Sequence, residues 1–299
     1  MNNQKENQTI IIGGGPAGIT AAIQLKRCGL EPMLLERREL GGLVWNADLV
    51  ENYPGFPNGI RGEKLIALLK RQVERIGVDV KREEVTQVDW RDGQFLVTTR
   101  ASQRSAEYLI VASGTKAKPL PNVIQPGADG RVHTEVWPLS KVHDQRVVIV
   151  GAGDAAFDYA LNLSKSRNIV TILNRGDSVK CLELLFNRAV NESRIEYRKG
   201  VVVREIKPGE GATRLEVRCE ASGGQGIILF DADYALFAIG RDPNRDFLSD
   251  EVRQHERELT EAGRLYFVGD VKNELFRQVA IAAGDGLRAA MQIYSRILK

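Results

Sequence analysis

Residues 9–18 read TIIIGGGPAG, and this stretch decides the fold class of the chain. A β-branched run at Thr9–Ile12 leads directly into a glycine-rich turn, and an alanine-rich helical pattern follows as far as Cys28. A second apolar run, Pro32–Leu35, ends at Glu36. This order of strand, glycine turn, helix and strand predicts a βαβ unit that binds a dinucleotide.

The glycines of the turn have separate predicted roles. Gly13 makes the tight turn, Gly15 lets the backbone approach a pyrophosphate, and Gly18 allows the helix to pack closely on the strand. We expect the phosphates at the helix N-terminus, where free N–H groups and the helix dipole favour an anion. Glu36, at the end of the second strand, is expected to accept hydrogen bonds from a ribose hydroxyl.

The same arrangement recurs at residues 146–156, which read RVVIVGAGDAA. Here the glycine pattern is Gly151, Gly153 and Ala156, and a helical pattern and a further strand at residues 169–173 follow. The residue equivalent to Glu36 is Asn174, because each lies 23 residues after the first glycine of its turn. The chain therefore contains two copies of one nucleotide-binding device.

The second copy has cations where the first has an acid. Arg175 follows Asn174 directly, and Lys180 lies a little further on. Cations suit a 2′-phosphate better than a bare ribose, which favours NADPH over NADH. Solvated surface charges with no ligand are the alternative reading of these residues.

Further strands are predicted outside the two copies, at residues 95–99, 214–219 and 227–234, as antiparallel strands beside a parallel sheet. The predicted fold class is α/β, with two Rossmann-like, three-layer ββα dinucleotide-binding domains. Connectors are expected at KAKPLPN (116–122) and AIGRDPN (238–244). The first domain is then discontinuous, with residues 1–121 and 236–299, and residues 122–235 form the second.

Composition excludes several classes of function. The 299 residues carry 42 Lys and Arg against 39 Asp and Glu, a net charge of only +3, so nucleic-acid binding is not expected. No apolar run approaches the roughly 18 residues that span a bilayer, so no membrane association is predicted. The polar segment before Ile10 lacks the features of a signal peptide, which predicts a cytoplasmic protein.

Neither the cysteines nor the histidines show a metal-binding pattern. Cys28, Cys181 and Cys219 form no CxxC motif, and the three histidines are scattered. We therefore predict no metal site. No catalytic side chain is nominated either, because bound cofactors would carry the chemistry.

Four further blocks add a family resemblance: GGLVWNADLVENYPGFP (41–57), IVASGT (110–115), AIGRDPN (238–244) and VGDVKNELFRQVAIAAGDG (268–286). With the two glycine turns, nearly the whole chain resembles the low-molecular-weight thioredoxin-reductase-like flavoproteins. The resemblance implies FAD in the first domain, a nicotinamide nucleotide in the second, and a homodimer. It also implies that Asp270 contacts the ribityl chain of the flavin.

The expected binding residues form two sets. The resemblance and the first glycine turn together assign these residues to the FAD site: Gly13, Gly15, Pro16, Ala17, Gly18, Glu36, Arg37, Gly41, Gly42, Asn52, Gly114, Asp270, Arg277, Gln278 and Val279. For the second nucleotide, NADPH or NADH, the expected residues are Gly151, Gly153, Asp154, Ala155, Asn174, Arg175 and Lys180.

The chain also departs from this family. Thioredoxin reductases carry CxxC shortly before the second glycine turn, whereas here Thr134 and Trp137 stand near the expected cysteine positions. The segment is more similar to thioredoxin-reductase-type ferredoxin/flavodoxin–NADP reductases, which also lack these cysteines. Their basic signature HRRxxxR is reduced here to NRGDSVK at residues 174–180.

Three functions follow from these patterns. The first is an FAD-dependent oxidoreductase that passes electrons from NAD(P)H to ferredoxin, flavodoxin or another acceptor, and not through a CxxC dithiol. The second is a nicotinamide-independent flavoprotein, linked to ferredoxin or holding another nucleotide in the second site. The third is a non-enzymatic flavin-based redox sensor.

Overall fold

The computed structural model describes residues 8–224 and 226–298, which form two compact units. One unit contains the described residues up to Trp45, Leu49–Lys116 and Asp242 onwards; the other contains Asn46–Asp48 and Ala117–Arg241. The chain thus passes between the units at Lys116/Ala117 and again at Arg241/Asp242. The sequence-based boundaries, after residue 121 and before residue 236, lie five and six residues away from these positions. The short segment Asn46–Asp48 has no counterpart in the sequence-based division.

The described residues form eighteen strands, and most of these strands belong to parallel sheets or to small antiparallel sheets. In chain order they are β1 (Thr9–Ile12), β2 (Met33–Leu35), β3 (Asp79–Lys81), β4 (Val85–Arg91), β5 (Gln94–Thr99), β6 (Gln103–Ala106), β7 (Tyr108–Val111), β8 (Thr115–Ala117), β9 (Val132–His133), β10 (Arg146–Val150), β11 (Ile169–Asn174), β12 (Ile195–Lys199), β13 (Val201–Pro208), β14 (Leu215–Ala221), β15 (Ile227–Ala232), β16 (Tyr234–Phe237), β17 (Arg241–Pro243) and β18 (Leu265–Phe267).

Seven α-helices lie in the same described residues. They are α1 (Pro16–Arg27), α2 (Gly62–Ile76), α3 (Asp154–Ser164), α4 (Glu183–Val190), α5 (Asp250–Gln254), α6 (Glu256–Glu261) and α7 (Val279–Ile297). Short 3₁₀ helices occur at Gly42–Asn46, Asp129–Arg131, Trp137–Leu139, Glu210–Ala212 and Gly269–Val271.

The first unit is built on a parallel sheet with the order β18-β7-β1-β2-β3. All four residues of β1 are buried, as a continuous apolar run in the centre of a parallel sheet requires. Ile10 and Ile12 face the antiparallel sheet β4-β5-β6 and pack with Phe95. Ile11 faces the opposite side, where it packs with residues of α1 and α7. The unit therefore has three layers: antiparallel sheet, parallel sheet and helices.

The second unit repeats this plan. Its parallel sheet has the order β12-β11-β10-β16-β9, and the antiparallel sheet β13-β14-β15 covers one face. Ile149 faces the other side and packs with Phe157 of α3. These two three-layer ββα units confirm the predicted α/β fold class.

One predicted strand was wrong in its extent. Residues 227–234 were expected to form a single antiparallel strand, but the chain breaks at Asp233, between β15 and β16. The Asp233 carboxylate accepts a hydrogen bond from the Arg146 N–H at 2.8 Å, so the break ties β16 to the start of β10. β16 then runs parallel to β10 within the main sheet.

Glycine allows α7 to lie against α1. A Cβ atom on Gly286 would be only 2.1 Å from the carbonyl oxygen of Ala17, whereas one on Gly284 would meet nothing within 4 Å. The small residues of the AAGDG segment (282–286) therefore have a packing role within this unit.

Replacing Gly286 by alanine is expected to lower the free energy of unfolding by about 1–3 kcal/mol, because the new methyl group overlaps α1. Gly284→Ala is the matched control, and it should be neutral or stabilise by up to about 1 kcal/mol through its higher helix propensity. Denaturant unfolding of the two variants measures the difference. Equal effects would contradict a close contact between α1 and α7.

Candidate functional sites

The first glycine turn lies at the carboxyl end of β1 and tolerates no side chain at two positions. Gly13 has φ +107°, and a Cβ there would be 2.3 Å from the carbonyl oxygen of Ala112. A Cβ on Gly18 would be 1.9 Å from the carbonyl oxygen of Gly13. The bare backbone of Gly13 therefore lets the turn lie against the segment after β7, and that of Gly18 lets α1 lie against the turn.

The N-terminus of α1 is open toward this turn. Gly15 is the N-cap residue and brings no side-chain hydrogen bond to the first turn of the helix. Pro16 occupies the first helical turn, where its missing N–H costs no hydrogen bond, and Ala17 is buried beneath it. The N–H groups of a helix start that lacks a side-chain cap suit an anion.

Glu36 follows β2, and its side chain reaches the first glycine turn. Its carboxylate accepts hydrogen bonds from the N–H of Gly14 at 2.7 Å and from the N–H of Arg38 at 2.8 Å. Each carboxylate oxygen retains capacity for another donor. Arg37 points elsewhere: it is exposed, 4.0 Å from Glu84.

A second glycine loop closes over the first. The N–H of Gly41 donates to the carbonyl oxygen of Gly14 at 2.7 Å. A Cβ on Gly42 would lie 3.1 Å from the Cα of Gly15, while a Cβ on Gly15 would meet only Gly42, at 4.0 Å. Two stretches of backbone without side chains therefore face each other at the start of α1.

Asp270 follows β18 in the 3₁₀ helix Gly269–Val271 and is half-buried. The preceding Gly269 touches α1, because a Cβ there would be 2.9 Å from the Cβ of Ala17. Asp285 of α7 holds this turn in place: its carboxylate accepts from the Gly269 N–H at 3.1 Å and from the Asn273 side chain at 2.6 Å. The turn thus brings Asp270 to the carboxyl edge of the sheet.

The remaining expected residues of this unit lie in loops. The Asn52 amide donates to the Gln278 side chain at 2.7 Å, which joins two segments more than two hundred residues apart. Gln278 is the N-cap of α7, so Arg277 precedes the helix and Val279 begins it. Gly114 follows β7 with φ +62°.

The second glycine turn has the same geometry at the end of β10. Gly151 has φ +144°, and a Cβ there would be 2.4 Å from the carbonyl oxygen of Ala238. Gly153 is the N-cap of α3 and again brings no side-chain hydrogen bond. The carboxylate of Asp154 accepts from the N–H of Leu182 at 2.8 Å, and Ala155 is exposed beside it.

Asn174 organises a loop. Its amide donates to the carbonyl oxygen of Ser178 at 3.0 Å and to the Tyr197 hydroxyl at 2.9 Å, and its Oδ1 accepts from the Gly176 N–H at 3.0 Å. The loop then returns to the glycine turn, where the Lys180 N–H donates to the Ala152 carbonyl oxygen at 2.8 Å. The Asn174 side chain is therefore already engaged in the fold.

Comparison with known proteins assigns the family. A family model described as pyridine nucleotide-disulphide oxidoreductase matches residues 7–286. This chain belongs to that family.

Among its relatives, the thioredoxin reductase of Chlamydia pneumoniae is 31% identical over 311 residues, with 95% of this chain and 97% of the relative covered. The thioredoxin reductase of Mycolicibacterium smegmatis is 28% identical, with 97% and 96% covered. The crystal structure of Lactococcus lactis thioredoxin reductase, in its FR conformation, matches with a TM-score of 0.85 and 28% identity over 98% of this chain and 99% of that one. Members of the thioredoxin reductase family use FAD and NADPH.

The cysteines of this pyridine nucleotide-disulphide oxidoreductase form no vicinal pair in the sequence. Cys28 is the C-cap residue of α1 and is half-buried. Burial raises the pKa of Cys219 to about 11. Burial, and then the charge of Asp154, raise the pKa of the Cys181 thiol.

Two classes of feature are missing from the described part of this family member. No group of three or more His, Cys, Asp or Glu side chains there could hold a metal ion. No helix among the same residues has both the length and the apolar character to cross a membrane.

Sequence reasoning missed two residues of these sites. Asp285 supports the turn at Asp270, and Tyr197 supports Asn174. The single acid within AAGDG was a visible signal for Asp285. Nothing in the sequence placed Tyr197 beside a residue 23 positions earlier.

The Cys219 thiol should not react in the native protein, because it is buried and its raised pKa keeps it protonated at about pH 8. We expect a chromogenic disulfide reagent to modify all three cysteines after unfolding in urea, and to leave Cys219 unmodified in the native state. In a Cys219→Ala variant, the number of cysteines modified in the native protein should stay the same, and the number modified after unfolding should fall by one. If fewer cysteines were modified in the native variant than in the native wild type, the burial of Cys219 would be contradicted.

Proposed function

We propose that this chain is an FAD-dependent oxidoreductase that takes electrons from NAD(P)H and passes them to an acceptor without an internal CxxC dithiol. The observation that carries this proposal is the repetition of one device. Each unit has a glycine turn at the carboxyl end of a central parallel strand, and each turn opens into a helix whose N-terminus lacks a side-chain cap. Two such sites suit two dinucleotides.

The first unit fits FAD. Beside the start of α1, Gly15 and Gly42 leave backbone exposed where a side chain would fill the space. Glu36 is assigned to the adenosine ribose, and Asp270 is assigned to the polar chain that links the flavin to the pyrophosphate. The residues proposed to line the rest of the site are Gly13, Pro16, Ala17, Gly18, Arg37, Gly41, Asn52, Gly114, Arg277, Gln278 and Val279.

The second unit fits a nicotinamide nucleotide. Gly151 and Gly153 form its phosphate turn, and Asp154 and Ala155 begin the helix that follows. Arg175 and Lys180 are exposed at the beginning and the end of the loop that Asn174 organises. These cations favour NADPH over NADH, because a 2′-phosphate pairs with cations whereas a ribose diol prefers an acid.

When bound, the nicotinamide nucleotide would supply a hydride to FAD, and the reduced flavin would pass the two electrons to the acceptor and release the proton. The protein holds the two nucleotides and needs no nucleophilic side chain for this transfer. This is why no catalytic residue is assigned.

The acceptor is proposed to differ from that of a CxxC thioredoxin reductase. At the spacing of a CxxC pair this chain has Thr134 and Trp137, neither of which relays electrons as a dithiol does. Between them, Glu135 pairs with Arg241 at 3.1 Å. We propose ferredoxin or flavodoxin as acceptors.

The homodimer and the cytoplasmic location remain predictions.

Anaerobic titration of the purified yellow protein with NADPH should bleach the flavin absorbance, and NADH should do so less effectively. Gly151→Ala should retain FAD and its reduction by dithionite but lose reduction by NADPH, because the added Cβ collides with Ala238. Gly130→Ala, at a glycine without positive φ and with nothing within 4 Å of the added Cβ, is the control for a change elsewhere in the same unit.

Dithionite reduction without any reduction by NADPH or NADH would overturn the nicotinamide part of the proposal. The second site would then hold another nucleotide, or electrons would enter from ferredoxin. Tight nucleotide binding without turnover, whatever the acceptor, would favour the redox sensor.

A further inference from the structure

The ends of two neighbouring strands meet beside the second glycine turn. β11 ends at Asn174 and β12 ends at Lys199, and these two residues are partners in the parallel ladder. Just beyond the strands, the N–H of Gly200 donates to the carbonyl oxygen of Gly176 at 3.2 Å. The backbone at Lys199 is therefore tied to the loop that Asn174 organises.

Strand alternation places Lys199 on the same face of the sheet as this site. Ile195 and Tyr197 pack in the core cluster beneath α3, with Phe157. Successive side chains of a strand alternate between faces, so Lys199 shares the face of Tyr197. The contact between the Asn174 amide and the Tyr197 hydroxyl shows that Asn174 also lies on this face.

The charges at this end of the unit are unbalanced. Arg175, Lys180 and Lys199 are exposed, and within the described residues none of their side chains forms an ion pair with a carboxylate. Arg198, next to Lys199, is different, because it pairs with Glu196 at 2.7 Å. The acids nearest to these cations in sequence are Asp177, which is exposed in the loop, Glu183, which is exposed at the start of α4, and Glu196, which pairs with Arg198.

We propose that Lys199 is a third cation for the 2′-phosphate of NADPH, together with Arg175 and Lys180, and so a determinant of nucleotide specificity. This inference rests on the proposed nicotinamide site in the second unit. Lys199 lies outside the 174–180 segment in which the basic signature is reduced. It supplies a further cation from the adjacent strand.

The test is equilibrium binding to the FAD-loaded protein, with 2′,5′-ADP and 5′-AMP as probes that differ only in the 2′-phosphate. Lys199→Gln should weaken binding of 2′,5′-ADP about twofold to fivefold, as expected for one exposed charge pair. Binding of 5′-AMP should not change. Because a phosphate contact is lost, the salt dependence of 2′,5′-ADP binding should also become shallower.

Arg198→Gln is the matched control, since it removes a cation from the adjacent position that points to the other face and already has a partner. It should bind both probes like the wild type. If Lys199→Gln binds 2′,5′-ADP like the wild type while the wild type prefers that probe to 5′-AMP, the inference is overturned and the proposed function stands. If the wild type binds neither probe, the nicotinamide site itself fails, and the inference fails with it.

Discussion

Helix α1 lies so close to its neighbours that only glycine fits at three of its contacts. Side chains at Gly18, Gly269 and Gly286 would each come within 3 Å of another part of the first unit. This packing holds the start of α1 at the carboxyl edge of the sheet, beside the turn that carries Asp270. The proposed FAD site depends on this constraint, because a displaced helix would no longer present its N–H groups to a pyrophosphate.

The second unit has the same glycine turn and helix, but a different residue at the position expected to face the ribose. Glu36 reaches back to its glycine turn through a carboxylate, which can accept further hydrogen bonds. Asn174, at the equivalent position, uses its amide to shape the loop that returns Lys180 to the turn. At the ribose end of the site, the first unit thus has a hydrogen-bond acceptor, whereas the second unit has a residue that supports a loop carrying cations. That difference is the physical basis for proposing NADPH.

Much of this architecture was readable in the sequence. TIIIGGGPAG and RVVIVGAGDAA predicted both central strands and both helices that follow, because β-branched runs, glycine turns and alanine-rich helices are strong local signals. Contacts between distant segments were not readable. The break at Asp233 depends on a hydrogen bond to Arg146, and the support of Gly269 by Asp285 depends on the packing of α7. The proximity of Lys199 to the loop after Asn174 follows only from the register of β12 against β11.

The central claim is that electrons leave the flavin without passing through a dithiol in this chain. Anaerobic reductive titration with dithionite tests it directly, because it counts the electrons that each FAD-loaded subunit stores. An enzyme with a redox-active disulfide stores about four electrons, two in the flavin and two in the dithiol. We predict about two electrons per flavin. Uptake of about four would show that two of Cys28, Cys181 and Cys219 form a redox pair, and it would contradict the account.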